Sequence, residues 1–186
     1  FQNGTITSTV AKILVQNYSD LTLDGMTLTL NNPTYAAAYT LSNNNGDIVI
    51  DGSTINANPA GGFAFDVCRY ASYPSVNVTV SNNSTINGDV EMSASQNNAG
   101  EGFSLTLTSG TITGDIVVDN SAKAAMDAEP EKVAVTKAST FEQTAPEGFE
   151  WVDNGDGTSA LIEYVRVAQI GNVEYKTLEA AFAAAN

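Results

Sequence analysis

The 186-residue sequence contains no histidine and only one cysteine. Because histidine is the commonest general base, its absence argues against Ser-His and Cys-His hydrolases, and it also removes the usual zinc ligand. A single cysteine, Cys68, excludes an internal disulfide, so the fold is not held by a disulfide framework. The apolar neighbours Phe65 and Val67 favour a packed and unreactive thiol at this position.

Basic residues are also scarce, with seven lysines and arginines against 21 acids and a net charge of -14. Affinity for phosphate requires clustered cations, so we expect no binding to nucleic acid or to an anionic membrane. Long apolar runs and a basic-plus-apolar amino terminus are missing as well, which predicts no membrane insertion by this segment. Because a repeat-like segment begins at residue 3, we expect the chain to be part of a longer polypeptide.

What the sequence does contain is a repeat. A threonine followed by a large apolar residue recurs at Thr5-Ile6, Thr27-Leu28, Thr54-Ile55, Thr85-Ile86, Thr111-Ile112 and Thr140-Phe141. Short alternating strands precede the last five pairs, at residues 21–23, 48–50, 78–80, 105–107 and 133–135. Successive strands begin 27, 30, 27 and 28 residues apart. A near-constant period of this size is typical of units that stack to share one core.

The period also selects the type of stacking. A hairpin sheet would need a turn every 8 to 12 residues or so, whereas a repeat of about 27 residues fits one solenoid turn of three short strands. Corners such as Asp24-Gly25 and Asp51-Gly52 let the backbone turn between strands. The sequence therefore predicts an all-β fold: a right-handed parallel β-helix of about five to six short coils over residues 1–144.

Residues 145–186 do not continue the repeat. Residues 149–162 predict a β-hairpin around the turn at 154–157, and residues 165–170 and 173–175 predict a second hairpin. Thr177 is then placed to cap a short helix that carries Leu178 and Phe182 on one face. We therefore expect a β-hairpin and terminal-helix segment over residues 145–186.

Part of this segment resembles a known module marker. Ile170-Gly171, Tyr175, Thr177-Leu178 and Ala181 match the Ile-Gly-x-x-x-Tyr-x-Thr-Leu-x-x-Ala segment that introduces right-handed parallel β-helix domains in large surface proteins of Gram-positive gut bacteria. Residues 145–158 are similar to the segment that commonly precedes it, and the repeat region resembles the pectate-lyase-like superhelix in architecture. The resemblance implies an extracellular, wall-associated protein with adjacent modules in the same polypeptide, in which residues 145–186 serve as a linker or as the start of a next module. It does not imply an enzyme.

Two pairs of carboxylates are candidates for chemistry. Asp24 and Asp51 occupy equivalent repeat positions, so they should stack about 4.8 Å apart and form a conceivable acid/nucleophile pair. The alternative is that Asp-Gly simply serves as the turn dipeptide at the corners of these coils. Asp153 and Asp156 are candidate calcium ligands, although their spacing departs from the EF-hand pattern and a hairpin turn explains them as well.

Candidate binding residues lie after the second full repeat, where Arg69, Tyr70 and Tyr73 follow Asp66. Exposed aromatic rings beside hydrogen-bonding groups suit a sugar, although tyrosines in such a loop also pack down over a solenoid edge. The connections at 31–38, 68–75 and 94–102 vary in length, which predicts that insertions gather at one corner of the solenoid. In repeat proteins the irregular side is usually the binding side.

These observations favour a non-enzymatic cell-surface module, an adhesin or a stalk-like β-solenoid, that contacts glycans or host or bacterial surface proteins. The alternative is a carbohydrate-active β-helix enzyme, either a polysaccharide lyase or a glycoside hydrolase. A further alternative is self-assembly through open solenoid ends, which expose unpaired strand edges. No cofactor is expected other than calcium.

Overall fold

The structure is a computed structural model that describes residues 1–95, 102–164, 167–175 and 177–185. The chain winds into a parallel β-solenoid in which each turn adds one strand to each of three sheets. Sheet 1 contains β1 (Thr5–Ser8), β4 (Thr27–Leu30), β7 (Thr54–Asn56), β10 (Ser84–Asn87) and β13 (Gly110–Ile112). Sheet 2 contains β2 (Ile13–Asn17), β5 (Ala38–Asn43), β8 (Gly62–Tyr70), β11 (Asp89–Ser95) and β14 (Ile116–Val118).

Sheet 3 contains the strands that the period marked most clearly. In spatial order they are β3 (Leu21–Asp24), β6 (Gly46–Asp51), β9 (Ser75–Ser81), β12 (Gly102–Leu107) and β15 (Val133–Ala138). Two antiparallel strands, β17 (Thr158–Glu163) and β16 (Phe149–Asp153), continue the sheet beyond β15. The predicted parallel β-solenoid is confirmed.

The threonine-aliphatic repeat forms sheet 1. Thr5, Thr27, Thr54, Thr85 and Thr111 stand in register from one turn to the next. The aliphatic residue that follows each threonine faces inward, because side chains alternate along a strand. From the second turn onward this inner column is buried, and it packs against the inner columns of sheets 2 and 3 to form the core.

The sixth pair of the repeat does not form a strand. The backbone turns at Thr140, and Phe141 is buried against the end of the core. The free edge of β15 is taken by β17, so no further parallel strand is added there. Phe141 therefore closes the core where the sequence predicted one more rung.

The insertions do not gather at one corner. Residues 31–37 connect β4 to β5, between sheets 1 and 2, whereas residues 71–74 connect β8 to β9, between sheets 2 and 3. The third predicted insertion lies largely outside the described residues. An unpredicted helix, α1 (Asn120–Ala128), and a 3₁₀ turn at Pro130–Lys132 connect β14 to β15. The irregular segments are thus distributed over two corners.

The C-terminal elements follow the prediction. The first hairpin, β16–β17, is continuous with sheet 3, and the division of the chain at residue 144 stays a prediction. The second hairpin is β18 (Ala168–Ile170) with β19 (Val173–Tyr175), while residues 165–166 lie outside the described part. Helix α2 (Leu178–Ala185) follows, and the Thr177 hydroxyl accepts the Ala180 N–H at 3.1 Å. Among the described helices, none has the length and apolar character needed to cross a bilayer.

Candidate functional site

A polar groove of about 300 Å³ runs across the outer face of sheet 2. Phe65 and Val67 of β8 point into the core, so Asp66 between them points outward. The same alternation places Glu91 of β11 beside Asp66, since these two residues are register partners on adjacent parallel strands. The solenoid winding thus brings carboxylates from separate turns onto one surface.

Asp66 is the most buried of these carboxylates, with 5% of its surface exposed. It accepts hydrogen bonds from the Asn43 backbone N–H and, at 3.2 Å, from the Ser42 hydroxyl. Burial nevertheless dominates and raises the pKa of Asp66 to about 7, with Glu91 adding a smaller repulsion. This carboxyl group therefore changes charge near neutral pH.

Glu91 and Tyr39 form a second polar pair in the groove. The Tyr39 hydroxyl donates to Oε2 of Glu91 at 2.8 Å, across 52 residues of sequence. Burial raises the pKa of Glu91, and burial together with the Glu91 carboxylate raises the pKa of the Tyr39 hydroxyl. The Tyr39 ring also stacks on Phe63, with the ring centroids 5.5 Å apart. Its hydroxyl is therefore held in a fixed position.

Three tyrosines form a cluster at one end of the groove. Tyr18 lies 5.4 Å from Tyr73 and 6.1 Å from Tyr70, measured between ring centroids, and Tyr70 stacks on Tyr73 at 6.4 Å. Tyr18 and Tyr73 are each 38% exposed, and Tyr70 also lines the groove. We call Tyr18, Tyr70 and Tyr73 the tyrosine cluster. It provides an aromatic surface beside the carboxylates.

The predicted binding residues are only partly brought together. Asp66 and Tyr70 line the groove, and Tyr73 stands at its end. Arg69 and Tyr70 belong to β8 and not to a loop as predicted. Arg69 is buried and forms an ion pair with Glu129 at 2.8 Å, so its guanidinium group is used in attaching the segment after α1 to sheet 2. This ion pair connects β8 to the residue that follows α1.

Asp24 and Asp51 are register partners in sheet 3, as predicted, and lie away from the groove. Asp24 accepts from the Gln2 amide at 2.9 Å, and Asp51 accepts from the Ser81 hydroxyl at 2.6 Å. Each carboxylate thus links its turn of the solenoid to a neighbouring turn. Their positions fit a structural role at the corners of the solenoid.

Asp153 and Asp156 lie in the turn between β16 and β17. Asp153 accepts the Gly155 N–H at 2.8 Å, and Asp156 accepts the N–H of Thr158 at 3.0 Å. The Thr158 bonds lower the pKa of Asp156. Both carboxylates stabilise the turn, and within the described ranges no three acidic, cysteine or histidine side chains are grouped as a metal site.

Tyr18, Tyr39, Glu91 and Asp119 are groove or cluster residues that the sequence did not single out. Asp119 lines the groove and caps α1, because its Oδ1 accepts the Ala122 N–H at 2.7 Å. The available signal was the strand register, which places outward residues of successive turns side by side. Larger grooves of about 470 Å³ occur near the loop at 142–149 but contain neither tyrosines nor the paired carboxylates.

Comparison of the chain with protein-family models, with curated proteins and with solved structures gives no match. The groove and the tyrosine cluster are therefore the basis for a functional proposal.

Proposed function

We propose that this chain is a non-enzymatic, glycan-binding β-solenoid module of an extracellular, cell-surface protein. The observation that supports this function is the tyrosine cluster beside the polar groove on sheet 2. Pyranose rings have an apolar face that packs on aromatic rings, and their hydroxyl groups bond to carboxylates, amides and hydroxyls. Both kinds of partner occur together here: the carboxylates Asp66 and Glu91 and the ring of Tyr70 lie on strands, and Tyr18 and Tyr73 lie in the adjoining connections.

The groove is well suited to bind a ligand without reorganising. Most of its lining residues, including Tyr39, Asp66 and Glu91, belong to β5, β8 and β11, which are central strands of sheet 2 with neighbours on both sides. Side chains on rigid strands lose little conformational entropy when a ligand binds. The volume of about 300 Å³ is at the lower end of the range for small-molecule sites, roughly 300–1,000 Å³. A short stretch of a glycan chain therefore fits this surface better than a large ligand.

Placement at the cell surface is supported by the segment at residues 167–181. Its Ile-Gly-x-x-x-Tyr-x-Thr-Leu-x-x-Ala pattern resembles the module marker of large bacterial surface proteins, and its described residues form a hairpin followed by a helix. A binding module of such a protein would act next to other modules of the same polypeptide. Host or bacterial surface glycans are then the natural partners.

A carbohydrate-active enzyme is the second candidate, and Asp66 and Glu91 favour it. These register partners are both buried enough for their pKa values to be raised, which is a property of acid/base carboxylate pairs. Against this role, Asp66 directs its oxygens to Ser42 and Asn43 of its own chain. A proton donor of a glycosidase must instead reach the glycosidic oxygen.

A glycan array followed by calorimetry tests the proposal. Tyr73→Ala removes an exposed ring of the cluster and should weaken binding of an array-selected glycan at least about tenfold, equal to about 1.4 kcal/mol. Tyr35→Ala is the matched control, because Tyr35 lies in the connection between sheets 1 and 2, under the Lys12 ammonium group. It should leave the affinity unchanged.

Two results would contradict the proposal. If Tyr73→Ala binds as tightly as the wild type, the tyrosine cluster is not the binding surface. If the wild type releases reducing ends from a bound glycan and Asp66→Asn abolishes this release, the enzymatic candidate replaces the binding module.

A further inference from the structure

The charge of the groove restricts which glycans it can accept. The charged residues among its described lining are all acidic: Asp66, Glu91 and Asp119. They come from three consecutive turns of the solenoid. Asp66 and Glu91 are register partners on strands about 4.8 Å apart, and Asp119 follows the end of β14, two residues beyond the register partner of Glu91. Like charges at this spacing repel one another and any anionic ligand. A cation would relieve this repulsion.

We propose that the groove selects glycans with protonated primary amines, such as oligomers of 2-amino-2-deoxyhexose, over neutral and anionic glycans. This inference rests on the proposed glycan-binding function and adds the charge class of the ligand. The sugar ring packs on the tyrosine cluster, and the ammonium group lies over the carboxylates.

Two carboxylate oxygens are available to receive such a group. Tyr39 occupies Oε2 of Glu91, and the Ser121 hydroxyl and the Ala122 N–H occupy Oδ1 of Asp119. Within the part of the chain that the structure describes, Oε1 of Glu91 and Oδ2 of Asp119 have no hydrogen-bond donor. An ammonium group has three donors and no acceptor, so it matches two open oxygens and a nearby hydroxyl. The Ser93 side chain also lines the groove.

N-acetylation of the amine removes this match. The acetamide keeps one N–H donor, carries no charge and adds a methyl group that would face carboxylates. A charge-assisted hydrogen bond is roughly twice as strong as a neutral one. The free amine is therefore distinguished from its acetylated form on an otherwise identical sugar.

Affinity for the cation should also depend on pH. The titratable groups that face Asp66 in the groove are Tyr39 of β5, Cys68 and Tyr70 of β8, Glu91 of β11, and Asp119. Asp66 is neutral below its pKa of about 7 and charged above it, so the groove becomes more acidic as the pH rises. A sugar with a permanently charged trimethylammonium group lacks the N–H donors and so reports the charge attraction alone, and it should bind more tightly as the pH increases from about 5.5 to 8. The amine of an unmodified amino sugar loses its proton over the same range, and the trimethylated probe avoids that complication.

The experiment is calorimetry with three size-matched hexamers: β-1,4-linked glucosamine, its fully N-acetylated form and an oligouronate. At about pH 6.5 the glucosamine hexamer should bind at least about tenfold more tightly than the N-acetylated hexamer, and the oligouronate should not bind. Glu91→Gln should weaken binding of the glucosamine hexamer at least about fivefold more than it weakens binding of the N-acetylated hexamer, because only the free amine loses a charge-assisted bond. Asp119→Asn removes the charge of the second open carboxylate and tests its role independently. Asparagine also caps helices, so this variant keeps the cap of α1.

The outcomes separate this inference from the proposed function. Equal affinity for the free and the acetylated hexamers, with both lost in Tyr73→Ala, would overturn the charge selection and keep the glycan-binding function. Absence of binding to every hexamer and to every array glycan would overturn both. Binding to lysine-rich peptides without binding to the glucosamine hexamer would also overturn the proposal, because the sugar ring would then contribute nothing.

Discussion

Replacing Asp66 by asparagine should stabilise the protein by an amount that grows with pH. Asp66 is nearly fully buried, and its carboxylate accepts from the Asn43 N–H and from the Ser42 hydroxyl. An asparagine side chain can preserve both contacts, since its carbonyl accepts from the Asn43 N–H and its amide donates to the Ser42 oxygen. The substitution therefore removes the charge with little change in packing.

The magnitude follows from the two pKa values. Burial raises the pKa of Asp66 from 3.8 to about 7, so the folded state binds more protons than the unfolded state between these values. The stabilisation that the protonated Asp66 carboxyl contributes is fully present below pH 3.8 and is lost as the pH rises to about 7. Each pH unit of the interval corresponds to about 1.4 kcal/mol, which gives about 4 kcal/mol in total. The variant should match the wild type at low pH and exceed its stability by that amount above neutrality.

Urea unfolding, followed by far-UV circular dichroism at about pH 4, 6 and 8, measures this difference. Ser42→Ala is the matched control, because it keeps the carboxylate and removes a donor that lowers its pKa. Its stability should fall with pH at least as steeply as that of the wild type. A constant difference between wild type and Asp66→Asn across this range would refute the reasoning, as would a wild type that is the more stable protein at pH 8.

Two further predictions concern corners of the solenoid and can be checked by the same unfolding measurement. Ser53→Ala should cost about 1–3 kcal/mol, because the buried Ser53 hydroxyl accepts the Met26 N–H at 2.9 Å and the substitution leaves that donor unsatisfied; a change within about 0.5 kcal/mol would contradict this. Gly62→Ala should lower the free energy of unfolding more than Gly148→Ala does. Both glycines have a positive φ, of 110° and 83°, so both variants strain the backbone, but only at Gly62 would a Cβ overlap the Ala38 carbonyl oxygen. Equal costs at the two glycines would contradict the steric argument.

The elements that repeat could be predicted from the sequence. The columns of sheets 1 and 3 follow from apolar residues that alternate within each strand and recur with a near-constant period. β2 was missed because Ile13, Leu14 and Val15 are consecutive apolar residues without alternation. Helix α1 was missed because it occurs in a single turn and therefore has no periodic signal.

The candidate site was less predictable because it depends on contacts between distant residues. Tyr39 and Glu91 are 52 residues apart, and Arg69 and Glu129 are 60 apart. The local sequence after the second repeat predicted Asp66, Arg69 and Tyr70 as binding residues, but it could not show that Arg69 contacts Glu129 while Asp66 lies in the groove. Only the register of sheet 2 decides which side chains meet.

The reversed direction of β17 has a consequence for how this molecule could change in length. A further coil needs a neighbour that runs in the same direction in all three sheets, and in sheet 3 the position next to β15 is already occupied by the antiparallel β17. Between β9 and β12, by contrast, both neighbours have the required direction. A duplicated coil of about 27 residues would therefore be accommodated inside the stack and would move the hairpin outward by one strand spacing, about 4.8 Å. Because β17 occupies the position next to β15, the solenoid can gain a coil within the stack but not directly beyond β15.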